Sequence, residues 1–564
     1  MNQMSGAEAV VTMLQRYGVK HVFGLCGDTS LPIYDAFYRL DHGITHVLTR
    51  DERSAAYMAD AYARVTGRVG VCEGPSGGGA TYILPGVVEA NESSIPVLAL
   101  TTDIGVSSRG RYVLTELEQK ALFRPLTKWN DVVLQAEQIP TTFRQAFRAM
   151  TTGRPGSAHI GLPFDVQRQP VDEAVLHADS RHQAYPAEPV GPDPDALETF
   201  VDALLRAANP VIICGGGPVI AGAWDELQRL AERLMIPVAT SISGKGAIAE
   251  THPLSIGVVG SNGGVPETRA IIEAADRIVF IGCRAGSVTT ERWRYPDPDR
   301  QRILHIDVDP EVIGANYETE AALVGDARLT LAAINACLDK KKYEAPTRAL
   351  DREKIAEMRA AKRRIFQKLA MSDETPMRPE RVIATLTKYL PDNAVVVADP
   401  GTPCPYLSAY LQLQRPGRSF ISNRAHGALG YSLPAVVGAK IGRPEAKCVA
   451  VMGDGSFGFA CGEMETIQRL GLPVTLIVIN NAAFGWIKAG QRSGFDQRYF
   501  SVDFSPGRHA QIARAFGIEA FEVDHPSAID LAMQKALDAD HPTLLDITCQ
   551  PLHEANAPVS EWIA

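Results

Sequence analysis

The residues whose types and spacing carry the clearest chemistry are Gly453-Asp454-Gly455 and Asn480-Asn481, with positions 456–479 between them. Asp454 and the asparagines offer hard oxygen donors, which suit an octahedral Mg²⁺ that also holds phosphate oxygens. Gly453 and Gly455 let the backbone approach a bulky anion, and the amides that open a following helix point at it. The apolar run 447–452 predicts a buried parallel strand leading into the turn, and a helix is expected over about 459–470. A second apolar strand, 473–479, then delivers the asparagine pair. In a parallel sheet both strand ends lie on one edge, where open α/β sheets bind ligands. Either half alone is an ordinary tight turn or a helix cap. Together they read as a site for a diphosphate and a magnesium ion.

The chain has 564 residues, enough for about three or four domains, and its composition is 45% apolar, 21% charged and 7% aromatic. No run approaches the ~18 apolar residues that span a bilayer. The start, Met1 to Ser5, lacks the basic and apolar regions of a signal peptide. A net charge of -9 is mild for this length and argues against a general nucleic-acid binder. The nine cysteines are scattered without a Cys-x-x-Cys pair; Cys214, Cys283 and Cys448 fall in or beside apolar runs as expected buried thiols. A reducing cytoplasm and no zinc site are expected.

Strand and helix signals alternate along most of the chain, which predicts an α/β protein of three doubly wound parallel-sheet domains. Boundaries are expected at 1–180, 190–340 and 372–564. Ser5 and Glu8 make a capping box for a helix that stops at Gly18, and strands are expected at 21–24, 45–48, 69–71 and 96–100. A linker is expected over 167–195. The central segment carries strand-like runs at 210–214, 237–239, 277–281 and 303–308, with a glycine run, Gly215 to Gly217, that fits the dinucleotide fingerprint poorly. A charged, largely helical connection follows over 339–377. Its lysines Lys340, Lys341 and Lys342 read as a solvated face.

The strand, turn, helix and strand around Asp454 resemble the thiamin diphosphate motif of the decarboxylase and acetolactate synthase superfamily. The resemblance implies that Asp454, Asn481 and the main-chain carbonyl of Ala483 hold the metal. It also implies that Gly453, Gly455 and Ser456 meet the phosphates, with Gly401 and Thr402 approaching from the other side. Positions 50–64 look like the family's cofactor-activating segment, and 76–81 continue the likeness, although Gly78 stands where proline is usual. Alone, Glu52 reads as a carboxylate at a helix N-terminus. The resemblance makes it the acid that shares a proton with N1′ of the aminopyrimidine, so that the imino tautomer can take the proton from C2 of the thiazolium. A buried site with a raised pKa suits that role. In 426–434, Leu429 falls where the family places an apolar wedge that bends the cofactor, with Gly427 in the same loop. The likeness covers the whole chain: pyrimidine-binding, central Rossmann-like and diphosphate-binding domains. It further implies a homodimer or homotetramer with active sites at the subunit interface.

Two places are expected to select the substrate. The loop 24–29 resembles that of pyruvate decarboxylase, whose aspartate acts in proton transfer, and Asp28 matches it; Cys26 and Thr29 flank it. No histidine lies near position 113, and Ile487 stands where such decarboxylases carry a carboxylate, which argues against simple aldehyde release. Positions 114–129 are similar to the acetolactate synthase and benzaldehyde lyase segment, with Leu114, Thr115 and Glu116 where those families place a glutamine and a glutamate. Phe484, Trp486 and Ile487 are expected to line the pocket, whose apolar wall suits a small or aromatic acyl group. Gly282-Cys283-Arg284 and 306–309 resemble flavin adenine dinucleotide (FAD) contacts, with bound FAD the weaker alternative to a domain that is empty or takes a nucleotide such as ADP. The expected activity is decarboxylation and carboligation of a small 2-oxo acid, acetolactate synthase-like. The alternatives are a lyase for 2-hydroxy ketones or 2-hydroxyacyl-CoA, and a non-catalytic paralogue that binds thiamin diphosphate.

Overall fold

The structure is a computed structural model that describes residues 3–341, 343 and 352–562. Met1, Asn2, Lys342 and part of the expected connection, 344–351, lie outside the described residues. The chain forms two compact units. The first comprises 1–188 with 423–445 and 460–472; the second comprises 189–422 with 446–459 and 473–564.

In the first unit a short antiparallel pair, β1 (Gln3–Ser5) and β8 (Pro170–Asp172), accompanies a six-stranded parallel sheet. That sheet contains β2 (His21–Gly24), β3 (Thr45–Leu48), β4 (Gly70–Gly74), β5 (Val97–Asp103), β6 (Trp129–Val132) and β7 (Ala158–Pro163), in the order β3-β2-β4-β5-β7-β6. The capping box of Ser5 and Glu8 opens the helix Gly6–Arg16, and Gly18 leaves it at φ +68°. On one face of the sheet Tyr17 stacks on Phe147 of the helix Ile139–Thr151, with ring centroids 3.9 Å apart. The helix Glu52–Thr66 lies against the helix Ser432–Gly442. Their close approach needs Gly438, where an added Cβ would sit 2.0 Å from the Met58 carbonyl oxygen. The expected linker is not plain coil, because β8 lies within it and pairs with β1.

The second unit holds two more six-stranded parallel sheets. One is β11-β10-β9-β12-β13-β14, built from β9 (Pro210–Cys214), β10 (Val238–Thr240), β11 (Ser255–Val258), β12 (Arg277–Ile281), β13 (Arg302–Asp307) and β14 (Thr319–Val324). This is the dinucleotide-fold strand order, with its switch point between β9 and β12. There the loops touch: a Cβ on Gly215 would lie 2.0 Å from the Gly282 oxygen. The other sheet is β16-β15-β17-β18-β20-β19. Its strands are β15 (Val395–Ala398), β16 (Phe420–Ser422), β17 (Cys448–Gly453), β18 (Val474–Asn480), β19 (Glu519–Val523) and β20 (Thr543–Thr548). Its connectivity repeats that of the sheet in the first unit. The helix after β17 begins at once, as Asp454–Ala460, and a 3₁₀ turn at Cys461–Glu463 leads to Met464–Arg469. The Gly-Asp-Gly therefore forms the strand end and first helical turn, earlier than the helix expected from about 459. Lys340 and Lys341 are exposed, and Lys341 pairs with Asp202 at 2.7 Å. No helix among the described residues is long and apolar enough to cross a membrane.

Candidate functional site

In the second unit the loops after β15 and β17 leave neighbouring strands in opposite directions, creating the crevice where such sheets take ligands. Ser456 Oγ donates to Asp399 Oδ1 across it at 2.9 Å. Gly401 has φ +91°, a left-handed conformation suited to glycine. Added Cβ atoms on Gly401 and Gly453 would meet nothing within 4 Å, so both glycines border open space. Asp454 is buried. Its Oδ1 accepts the Gly455 amide at 2.9 Å, and its Oδ2 accepts the amides of Asn481 and Ala482 at 3.1 and 2.5 Å. Burial nevertheless raises its pKa above the ordinary aspartate range, against the opposing pull of those amides. Ala482 takes φ +53°, turning the chain so that Ala483 bridges to Asp503.

Asn481 Nδ2 donates to Thr402 Oγ1 at 3.4 Å, while its Oδ1 is buried with no hydrogen-bond partner among the described residues. A buried amide oxygen without a donor is costly, and a cation would satisfy it. Among the described residues no group of three or more His, Cys, Asp or Glu side chains could hold a metal ion. A site completed by phosphate oxygens needs no such group. One carboxylate, one amide oxygen and open glycine-lined space therefore fit a metal-bound diphosphate.

The first unit carries the carboxyl half. Asp51 caps the helix Glu52–Thr66 by accepting the Arg53 amide at 2.7 Å, leaving Glu52 as its first residue. Glu52 is buried, and its side chain lies against two glycines. A Cβ on Gly74 would be 3.4 Å from its Cγ, and one on Gly79 would be 3.2 Å from its Oε1. Burial raises the Glu52 pKa, and the nearby charges of Asp51 and Glu73 add to the rise. The loops after β2 and β4 meet at this sheet's switch point through a line of hydroxyls. Thr102 Oγ1 lies 2.7 Å from Thr29 Oγ1, which lies 3.1 Å from Ser76 Oγ, which lies 2.7 Å from Thr115 Oγ1.

Asp28 and Cys26 are exposed beside that line, and burial together with Glu73 and Asp28 pushes the Cys26 thiol pKa up. Thr115 holds φ +70°, Leu114 is exposed, and Glu116 accepts the Gly110 amide at 2.6 Å. In the same unit Gly427 has φ +74° and Leu429 is half-buried.

The aromatic residues of the second unit divide. Phe484 packs edge-on against Phe504 at 4.6 Å, and a Cβ on Gly455 would lie 2.9 Å from its ring. Trp486 instead packs on Trp562 at 5.0 Å as part of the core, while Ile487 is exposed.

Residues without an assigned role in the sequence also shape the site. Glu89, Arg64, Asp60 and Tyr431 form a buried polar network under the Gly427 loop. Asp60 and Arg64, four apart on an alanine-rich helix, were its visible signal. In the central sheet His305 bonds the Cys283 carbonyl at 3.0 Å and Asn316 donates to the Arg284 carbonyl at 3.0 Å.

Residues 4–122 match the thiamine pyrophosphate enzyme N-terminal TPP binding domain, 197–334 the central domain and 399–547 the C-terminal TPP binding domain. A probable acetolactate synthase large subunit from Methanococcus aeolicus is 34% identical across 95% of this chain and 90% of its own length. The acetolactate synthase isozyme 3 large subunit of Escherichia coli (strain K12) is 32% identical, covering 95% of this chain and 93% of its own. An acetolactate synthase from Arthrospira platensis is 31% identical over 95% and 93% respectively.

Proposed function

Because the chain belongs to the thiamine pyrophosphate enzyme family, we propose that it is a thiamin diphosphate- and Mg²⁺-dependent enzyme that decarboxylates a small 2-oxo acid and joins the acyl fragment to a second carbonyl compound. The observation that carries this reading is Glu52: a buried carboxyl, held by the fold above its ordinary proton affinity, at the switch point of a parallel sheet. Such a group holds its proton to a higher pH than an ordinary glutamate and can share it with a ring nitrogen.

When bound, thiamin diphosphate supplies an electron sink for the pair left on a carbonyl carbon as its neighbouring C–C bond breaks. The protein does the rest. Asp454, the Asn481 amide oxygen and the Ala483 carbonyl would hold the magnesium ion. Gly401, Thr402, Gly453, Gly455 and Ser456 would line the diphosphate, with Gly427 and Leu429 against the bent ring system. Glu52 holds the shared proton. In this reading Asp28 and Glu116 would move protons on the substrate, with Cys26, Thr29, Leu114 and Thr115 of the first unit and Phe484 and Ile487 of the second as the candidate substrate-selecting residues. Trp486, which packs on Trp562, is a further candidate pocket residue. The smallest working unit in this reading is a homodimer or homotetramer with active sites at the subunit interface, working in the cytoplasm. No step involves FAD. A yellow purified protein would establish FAD as a bound passenger of the central domain.

A second reading, a lyase that cleaves 2-hydroxy ketones or 2-hydroxyacyl-CoA, is favoured by Thr115. Its hydroxyl is already engaged by Ser76, and no carboxamide stands where acetolactate synthases carry one. A non-catalytic paralogue is disfavoured by the presence of Glu52, Asp454 and Asn481 together. The test is reconstitution with thiamin diphosphate and Mg²⁺, followed by a screen of 2-oxo acids and 2-hydroxy ketones. CO₂ from pyruvate without free acetaldehyde supports carboligation. Aldehyde release from a 2-hydroxy ketone without CO₂ selects the lyase, and inertness towards every substrate selects the paralogue.

A further inference from the structure

Asn480, the neighbour of Asn481, is bonded to a buried carboxylate. That group is Asp546 in β20, which the parallel register sets opposite Val478 of β18, with Thr548 opposite Asn480. Side chains two apart along a strand share a face, so Asp546 and Asn480 are diagonal neighbours on one side of the sheet. Asn480 Nδ2 donates to Asp546 Oδ1 at 3.0 Å, and His509 Nδ1 lies 3.2 Å from the same oxygen. Asp546 Oδ2 accepts the main-chain amides of His509 and Ala510 at 2.9 and 3.3 Å. Those amides open the helix His509–Ala515, whose own N-cap, Arg508, makes no side-chain cap bond. Amides at a helix start need an acceptor, and here the neighbouring strand supplies it.

The carboxylate thereby joins the two chain segments that flank the turn 481–484. Upstream it holds Asn480. Downstream it holds 509–510, a few residues past a strip that pairs with the turn itself. There the Phe484 amide donates to the Val502 oxygen at 2.8 Å, the Phe504 amide donates to the Ala482 oxygen at 2.8 Å, and Ala483 bridges to Asp503. His509 adds a third tie. Its ring packs on Gly507, where a Cβ would lie 2.6 Å away, and stands edge-on to Phe457 at 4.9 Å, on the helix that Asp454 opens. The turn needs such support, because Ala482 holds φ +53°, an uncommon conformation for a residue with a Cβ.

We infer that Asp546 is a positioning residue: by joining Asn480 to the helix start at His509, it fixes the turn that carries Asn481 and the Ala483 carbonyl, and so sets their spacing for a small metal ion. This rests on the assignment of that ion to the turn, but the first half of its test does not. In the cofactor-free protein, Asp546→Ala is expected to speed hydrogen exchange of the Phe484 and Phe504 amides as well as those of His509 and Ala510. Exchange that changes only at 509–510 overturns the inference, since the carboxylate would then merely cap a helix. Thiamin diphosphate binding is next followed by calorimetry with Mg²⁺ and, separately, with Ca²⁺. Mg²⁺ demands near-octahedral ligands, whereas Ca²⁺ tolerates irregular ones. Asp546→Ala is expected to weaken uptake about tenfold or more with Mg²⁺ and several-fold less with Ca²⁺. Equal losses with the two ions would mark a general loosening and also overturn the inference. If Asp546→Ala fails to fold, adding Arg508→Asp gives the helix its own cap without restoring the tie to Asn480. Wild-type uptake that is the same with and without a metal ion would remove the ion from the site, and the exchange result would still decide whether Asp546 holds the turn.

Discussion

The Glu89 carboxylate accepts the main-chain N–H of His426 at 2.7 Å, joining residues 337 positions apart within the first unit. The same carboxylate takes the Ala425 amide at 3.2 Å, Arg64 Nη2 at 3.2 Å and Ser93 Oγ at 2.7 Å. Arg64 also pairs with Asp60, which accepts the Tyr431 hydroxyl. The loop of Gly427 and Leu429 is thus tied at both ends, through His426 and Tyr431, to side chains that include two from the helix opened by Glu52.

Removing one partner of a buried ion pair leaves the other uncompensated, at about 3–5 kcal/mol. Glu89→Ala is therefore expected to lower the stability of the first unit by that order in chemical denaturation. It should also speed amide exchange across 425–430. Unchanged exchange in that loop would show that Glu89 does not anchor it.

Glu52→Gln should leave the fold intact and slow C2 proton exchange of bound cofactor severely. Its effect on stability has a definite sign. Burial, Asp51 and Glu73 raise the folded pKa of Glu52 above the unfolded value of about 4.3. The folded state therefore binds the proton more tightly, and stability falls as pH rises from the unfolded to the folded pKa. Glutamine has no charge to desolvate. Cofactor-free Glu52→Gln is expected to match wild type at low pH and to melt at a higher temperature above the window. A difference in melting temperature that stays constant with pH would contradict this.

The strands legible in the sequence were mostly interior ones, such as β2, β9, β12, β17 and β18, because burial on both faces gives a continuous apolar run. Of the strands not read, β6, β11, β14, β16 and β19 lie at sheet edges, where the run is short or carries polar residues such as Asn130 and Asp131, while β7, β15 and β20 are interior and were also not read. Asp454 and Asn481 stood out because a glycine turn and two strand ends surround them at fixed spacing, whereas Glu52 alone read as a helix N-terminal carboxylate and was singled out by the family resemblance of positions 50–64. Asp546 did not stand out, since a charge inside an apolar run says nothing about its partners until Asn480 and His509 fold onto it. The partner of Trp486, Trp562, lies far along the chain and was equally unreadable from the residues around position 486.

The orphaned Asn481 oxygen and the amide-bound Asp454 define the expected effect of losing the metal. Asp454→Asn keeps the shape but loses a charge, and Asn481→Leu removes the unpartnered oxygen outright. In calorimetry with Mg²⁺, each is expected to weaken thiamin diphosphate binding more than about tenfold, or about 1.4 kcal/mol. Chelating the metal should release cofactor from wild type and make little further difference to either variant. Wild-type affinity in the presence of a chelator would remove the ion from the site.

Thr115 is a β-branched residue at φ +70°, a conformation that costs about 1–3 kcal/mol unless its surroundings enforce it. Two features enforce it here. Its hydroxyl bonds Ser76 at 2.7 Å, and Gly77, itself at φ +69°, leaves the space in which a Cβ would lie 2.7 Å from that of Thr115. Two substitutions then separate strain from bonding. Thr115→Gly loses the hydrogen bond to Ser76 but relieves the backbone, so it is expected to be more stable than Thr115→Val by on the order of 1 kcal/mol. Thr115→Val keeps the strain, loses the hydrogen bond and is expected to destabilise by about 1 kcal/mol. Both sever the line of hydroxyls to Thr29 and Thr102, so both should change the ratio of substrates accepted in the 2-oxo acid and 2-hydroxy ketone screen. If Thr115→Gly is no more stable than Thr115→Val, the left-handed threonine is not strained. If neither changes the substrate ratio, Thr115 stands outside the pocket.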